Sequence, residues 1–172
     1  MDADTLKALQ APLKAKYKDD PASALVTMHA RAVVEGSDIG CKLDIDRSSA
    51  RAGLHPAAGG TGEDLCSGDM LLEALVGCAG VTLKAVATAM GITIERAEII
   101  AEGDCDFRGT LGVDKTAPVG FIGLRLKFKI ASPATQEQIG QLIKLTERYC
   151  VVYQTLKAPP ALSATVALNG AE

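Results

Sequence analysis

Met70-Leu71-Leu72-Glu73-Ala74-Leu75-Val76-Gly77-Cys78-Ala79-Gly80-Val81-Thr82-Leu83 repeats apolar residues at helical spacing. Leu71, Leu75, Cys78, Thr82 and Ala85 fall on one face at intervals of three and four. Further along, Ile139, Leu142, Ile143, Thr146, Tyr149, Cys150 and Tyr153 form a second stripe of the same kind. These are the two best core helices in the chain, and each carries a cysteine in its apolar stripe. Each thiol is therefore expected to face the interior. One buried cysteine is ordinary packing. Two, each central to a core helix, can meet across one core and do dithiol chemistry. Gly77 and Gly80 flank Cys78, and glycine costs about 1 kcal/mol inside a helix. Their position implies a close approach of backbone, side chain or ligand.

Outward from these helices, residues 2–18 read as a short amphipathic helix with Leu6, Leu9 and Leu13 on one side and Asp4 or Thr5 as its cap. Ala24 to Val34 and Cys41 to Ile45 read as strands of a hairpin joined by turn residues. Arg47 to Gly68 lacks apolar periodicity, and a loop of that length inside a compact domain is usually functional. Ser67 or Asp69 caps the first core helix, which stops at Gly91. Strands follow near Ile92–Asp106 and Phe121–Ile130. The second alternates Leu124, Leu126, Phe128 and Ile130 against Arg125, Lys127 and Lys129, the mark of a half-buried strand. Ser132-Pro133 starts the second core helix, and Ala161 to Leu168 reads as a closing strand. Consecutive strands paired as hairpins predict an α+β fold with antiparallel sheet.

The 172 residues fit one domain, with residues 1–20 as a helical extension and 21–172 as the domain proper. Hydrophobic residues make up 48%, and 18 Lys+Arg against 21 Asp+Glu leave a net charge of −3 without blocks. This gives no basic footprint for nucleic acid or an anionic membrane, and no uninterrupted apolar run of membrane-spanning length. The opening Met1-Asp2-Ala3-Asp4 is acidic where a secretory signal is basic, so a cytoplasmic location is expected. Five cysteines, at 41, 66, 78, 105 and 150, are odd in number and irregular in spacing. That excludes a zinc ribbon and argues against a disulfide framework. His55 with Cys66, Asp69 and Cys78 has no standard metal-ligand spacing. Gly59-Gly60-Thr61-Gly62 lacks the lysine and preceding strand of a phosphate loop. No metal or bound cofactor is expected.

The segment Ser67-Gly68-Asp69-Met70-Leu71-Leu72-Glu73-Ala74-Leu75-Val76-Gly77-Cys78 resembles the first-cysteine helix of the OsmC/Ohr family, the osmotically induced protein C and organic hydroperoxide resistance proteins. Tyr149-Cys150-Val151-Val152-Tyr153-Gln154-Thr155-Leu156 is similar to the second-cysteine helix, where that family usually has Cys-Pro-Val-x-x-x-Leu. The resemblance runs from about residue 24 to the end. It implies an OsmC-like intertwined homodimer, with antiparallel sheets packed against two long core helices. It also implies a peroxidase that reduces organic hydroperoxides in stress defence. Cys78 then matches the peroxidatic cysteine and Cys150 the resolving one, with an external dithiol as reductant.

A buried thiol has a raised pKa and needs help to ionise. The family supplies an arginine held by an acidic residue. Asp69 occupies the acidic position, one methylene shorter than the family's glutamate and about 13 Å from Cys78 along an ideal helix. Arg51 is the favoured arginine, because it opens the segment leading into the Cys78 helix; Arg47 and Arg31 are the other candidates. Cys66 sits at the N-terminus of that helix, where the dipole favours an anion, and is an alternative resolving thiol. Cys41 and Cys105 are assigned packing roles. The competing reading keeps the dimer and its apolar pocket as a catalytically silent small-molecule-binding or redox-sensing protein.

Overall fold

A four-stranded antiparallel sheet, with one long helix across its inner face, organises the chain. The computed structural model describes residues 3–34, 42–43, 52–63 and 65–166. Its elements are α1 (Ala3–Asp19), β1 (Leu25–Val34), β2 (Lys42–Leu43), β3 (Ala52–Gly53), β4 (Leu65–Cys66), α2 (Ser67–Ala89), β5 (Arg96–Asp106), α3 (Phe107–Thr110), β6 (Phe121–Ala131), α4 (Gln136–Tyr149) and α5 (Val151–Lys157). The strand order is β2-β1-β5-β6, with every pairing antiparallel. The α+β class expected from the hairpins is the one observed.

Alternation along β5 and β6 separates the two faces of the sheet. Ala97, Ile99, Ala101 and Cys105 of β5 are buried, and Ile130, Phe128, Leu126 and Phe121 of β6 stand opposite them. On the other face Lys129 pairs with Glu98 at 3.0 Å and Lys127 with Glu102 at 2.9 Å, while Arg125 bridges Glu102 and Asp104. The Lys127 and Arg125 charges hold the Glu102 carboxyl below its usual value. Such exposed pairs stabilise little individually, but a charged ladder keeps this face in solvent and fixes the strand register.

α2 lays Leu72, Leu75, Val76, Ala79, Gly80, Leu83 and Ala87 into the core. By length and composition it is apolar enough to cross a membrane; a core helix against a sheet needs the same composition. The buried stripe is centred one residue away from the one read from spacing. Leu71 is exposed, and Cys78 and Thr82 lie half-buried on the flank of the buried face. Met90 closes the helix, and Gly91 turns away at φ +65°, a left-handed conformation suited to glycine.

Five expectations change. The helix cap is Cys66 rather than Ser67 or Asp69, and its side chain makes no capping bond. The irregular stretch before α2 holds a short parallel pair, Ala52–Gly53 with Leu65–Cys66, and a 3-10 turn at Pro56–Ala58. Tyr17 donates to the Ala57 carbonyl at 2.7 Å and Gln10 to Ala58 at 3.3 Å, so α1 packs on that turn. The second core helix starts later than Pro133, because Thr135 and Gln138 form a capping box. It is also two helices, with Cys150 between them. Finally, residues 161–166 form no strand, and Leu162 and Val166 are 93% and 82% exposed. No described strand lies beside them to complete a ladder. The rest of that expected strand, like Cys41 and the turn after β1, lies outside the described residues.

Candidate functional site

Cys150 breaks the helix that spacing makes continuous. Its backbone is extended, at φ −72° and ψ 108°, so α4 ends at Tyr149 and α5 begins at Val151. Cys150 caps the new helix itself: its Sγ accepts from the Tyr153 N–H at 3.4 Å and its carbonyl from Gln154 at 2.9 Å. The first backbone N–H groups of a helix have no partner within it. Here those of Val151 and Val152 are directed at Cys78 on α2.

The two thiols act on each other's ionisation, Cys150 as a donor toward Cys78 and Cys78 as acceptor and charge toward Cys150. Burial pushes the Cys78 pKa up. Against it stand the Val152 N–H, the Cys150 thiol, the Val151 N–H and the Thr82 hydroxyl, and together they hold Cys78 below its ordinary value. Each stabilises the thiolate as a charge-assisted donor. Cys150 goes the other way. Burial, and the neighbouring Cys78 as a charge and as its acceptor, push it up to about 11. The surroundings thus push the two thiols in opposite directions.

Two tests follow. Alkylation of Cys78 should approach its plateau at a lower pH than an ordinary thiol. Removing the Thr82 hydroxyl with Thr82→Val moves that profile to higher pH and slows alkylation a few-fold at neutral pH, since a hydrogen bond to a charged group is lost. Cys150 has the opposite linkage. Its folded pKa exceeds that of the unfolded chain, so between about pH 9 and about 11 the unfolded state releases a proton that the native state keeps. Denaturant titrations should show stability falling across that interval, and less so in Cys150→Ala.

An apolar pocket of about 190 Å³ draws its walls from α2, β6 and α5, without either thiol in its lining. It is lined by Leu75, Leu124, Leu126, Tyr153 and Leu156, with Arg125 and Lys157 completing its wall. Leu75 lies one helical turn before Cys78, and Tyr153 is the residue whose N–H binds Cys150. An open groove lined by Arg148, Tyr149, Val151, Gln154 and Thr155 borders Cys150 on another side.

Asp69 sits in the first turn of α2, nine residues before Cys78. Glu73, one turn on, has its carboxyl pushed up by burial and by the Asp69 charge. Arg51 and Arg47 lie outside the described residues; Arg31 stands on β1, opposite Ile100. Among the described residues no three His, Cys, Asp or Glu side chains gather to hold a metal ion. His55 is engaged locally: its Nδ1 accepts from Ala57 at 3.0 Å and its ring stacks on Phe107 at 4.9 Å. The donors around Cys78 were not foreseen from the sequence. The available signal was the proline that the similar family carries at position 151, because proline favours the first residue of a helix. Valine at that place adds an N–H that proline lacks.

The OsmC-like protein family matches residues 60–165, which include both cysteines and the whole of α2 to α5. The chain belongs to the OsmC-like family. Its fold is similar to that of an OsmC-like hydroperoxide resistance protein from Jannaschia sp. CCS1, with a TM-score of 0.64 at 15% identity, over 86% of this chain and 97% of that one. An OsmC-like protein from Mycoplasma pneumoniae is similar over 75% of this chain and 86% of its own, with a TM-score of 0.55 and 22% identity. No curated protein matches significantly. These likenesses concern the fold of this OsmC-like chain; its chemistry rests on its own residues.

Proposed function

We propose that this OsmC-like protein is a thiol-dependent peroxidase that reduces organic hydroperoxides, with Cys78 as the attacking thiol and Cys150 as the resolving one. The observation that carries this reading is the placement of Cys78 on α2 against the Cys150 break between α4 and α5, with Cys78 held low and Cys150 held high by each other and by the N–H groups there. The Cys78 thiolate attacks the terminal peroxide oxygen; the O–O bond breaks and the alcohol leaves with a proton. Cys78 becomes a sulfenic acid. Cys150 then attacks that sulfur, water leaves, and a disulfide forms. An external dithiol restores both thiols by exchange. The apolar pocket that Leu75 of the Cys78 helix and Tyr153 of the Cys150 helix help to line suits the carbon chain of an organic hydroperoxide, and the similar protein from Jannaschia is named for hydroperoxide resistance.

Arg51, tethered by Asp69, is the cation proposed to complete the site, with Arg47 or Arg31 in its place as the alternatives. The working form proposed is an intertwined cytoplasmic homodimer. Exposed Leu162 and Val166, in a segment of alternating pattern without a strand partner among the described residues, support a second copy as its cover. Light scattering should give a dimer, whose interface of this kind buries roughly 2,000 Å² or more.

Hydroperoxide consumption with dithiothreitol as reductant tests the chemistry. In the absence of added reductant, Cys150→Ser should consume about one equivalent of cumene hydroperoxide rapidly and leave Cys78 as a sulfenic acid that dimedone traps. Undiminished multiple turnover in Cys150→Ser removes Cys150 from the mechanism. Absence of hydroperoxide consumption by the wild type leaves the pocket as a binding site, the silent-protein reading.

A further inference from the structure

Cys66 and Cys105 stand apart from the site just described, yet they line one pocket together. Cys66 ends β4 and caps α2; Cys105 is on β5, where the register against β6 slips between Asp104 and Cys105. A slip of this kind re-aims a side chain. The pocket measures about 380 Å³, and Leu54, Leu71, Phe107 and Phe121 supply apolar walls around the two thiols. Cys66 is half-buried and Cys105 is 8% exposed. The Cys105 thiol has only a long contact, 3.7 Å, to the Gly120 carbonyl. Cys66 makes no capping bond with its side chain, so neither sulfur is fixed by a strong partner.

We propose that Cys66 and Cys105 form a second redox pair, closed to a disulfide by an organic hydroperoxide entering this pocket. Cys66, the more exposed, attacks the terminal peroxide oxygen. The O–O bond breaks, alcohol leaves with a proton, and Cys66 becomes a sulfenic acid. Cys105 attacks that sulfur; the S–O bond breaks, water leaves, and the disulfide closes. Two thiols are oxidised and one hydroperoxide is reduced. Burial, then the charges of Cys66 and Asp106, push the Cys105 thiol up, which fits a resolving rather than an attacking role. Cys66 precedes Cys78 by 12 residues, about 18 Å along a helix, so the pair works without exchange with Cys78. The disulfide ties the start of α2, the helix that carries Cys78, to β5. It is a covalent record of oxidation separate from turnover.

The test uses Cys78→Ser/Cys150→Ser, which removes the first pair, alongside wild type oxidised with diamide in case the double variant folds poorly. Each is treated with oxidant, blocked with N-ethylmaleimide, digested without reduction and mapped by mass spectrometry. The expected result is a Cys66–Cys105 linked peptide in both, lost on treatment with dithiothreitol; in Cys105→Ala, Cys66 instead carries a dimedone adduct after cumene hydroperoxide. Maleimide on both Cys66 and Cys105 after oxidation overturns the proposal, as does a linkage of either to a different cysteine. The reading of Cys78 as a peroxidase is measured separately, by hydroperoxide consumption in Cys66→Ser, which lacks the second pair, so the two stand or fall apart.

Discussion

With the second pair silenced by Cys66→Ser, replacing Cys78 by serine should reduce hydroperoxide consumption to background, a loss of at least about a thousandfold, since removing an attacking nucleophile is among the costliest single changes to an enzyme. Serine preserves size, and Cys78 is only half-buried on the flank of α2, so the variant should remain folded. The donors would still be in place: the N–H groups of Val151 and Val152 and the Thr82 hydroxyl would surround an alcohol that stays protonated at any accessible pH. Steady-state consumption of cumene hydroperoxide with dithiothreitol, beside circular dichroism of the same sample, checks this. Comparable activity in a folded Cys78→Ser protein would transfer the chemistry to another thiol.

The largest effect on stability is expected at Leu142. This residue is wholly buried on α4, in the cluster that joins α2, the sheet and Cys150. Leu142→Ala removes its contacts and leaves a cavity, at a cost of about 2–5 kcal/mol depending on how far the surroundings collapse. Thr146 shares the consequence, because its buried hydroxyl donates to the Leu142 carbonyl at 2.8 Å. As α4 loosens from α2, Cys150 loses its fixed distance from Cys78, so disulfide formation should slow together with the loss of stability. Urea unfolding gives the first quantity, and thiol loss after one equivalent of hydroperoxide the second.

Hydrophobic spacing revealed the sheet strand β6, the helix α2 and the two cysteine-bearing stripes, because these features are repeats of side chains. It missed the break at Cys150 for the same reason. Leu142, Thr146, Cys150, Tyr153 and Leu156 keep their repeat across the junction, while the backbone at Cys150 turns extended. That turn frees the N–H groups that lower the Cys78 pKa, so this feature of the site was invisible in side-chain pattern. Thr82 was visible as a neighbour of Cys78 on the helix face, but not as its donor. Cys105 was read as packing, since its approach to Cys66 depends on a register slip and on a turn distant in sequence. The Thr135-to-Gln138 capping box was legible and marks the helix start better than Pro133. Arg51 and Arg47 lie outside the described residues, so the proposed arginine still rests on the resemblance.

The central claim is that Cys78 and Cys150 act as one dithiol. One equivalent of organic hydroperoxide, added to the reduced protein at neutral pH and followed by thiol blocking and peptide mapping, tests it most directly. The account predicts a Cys78–Cys150 disulfide at near-stoichiometric yield; recovery of both cysteines in blocked, unoxidised form would contradict it.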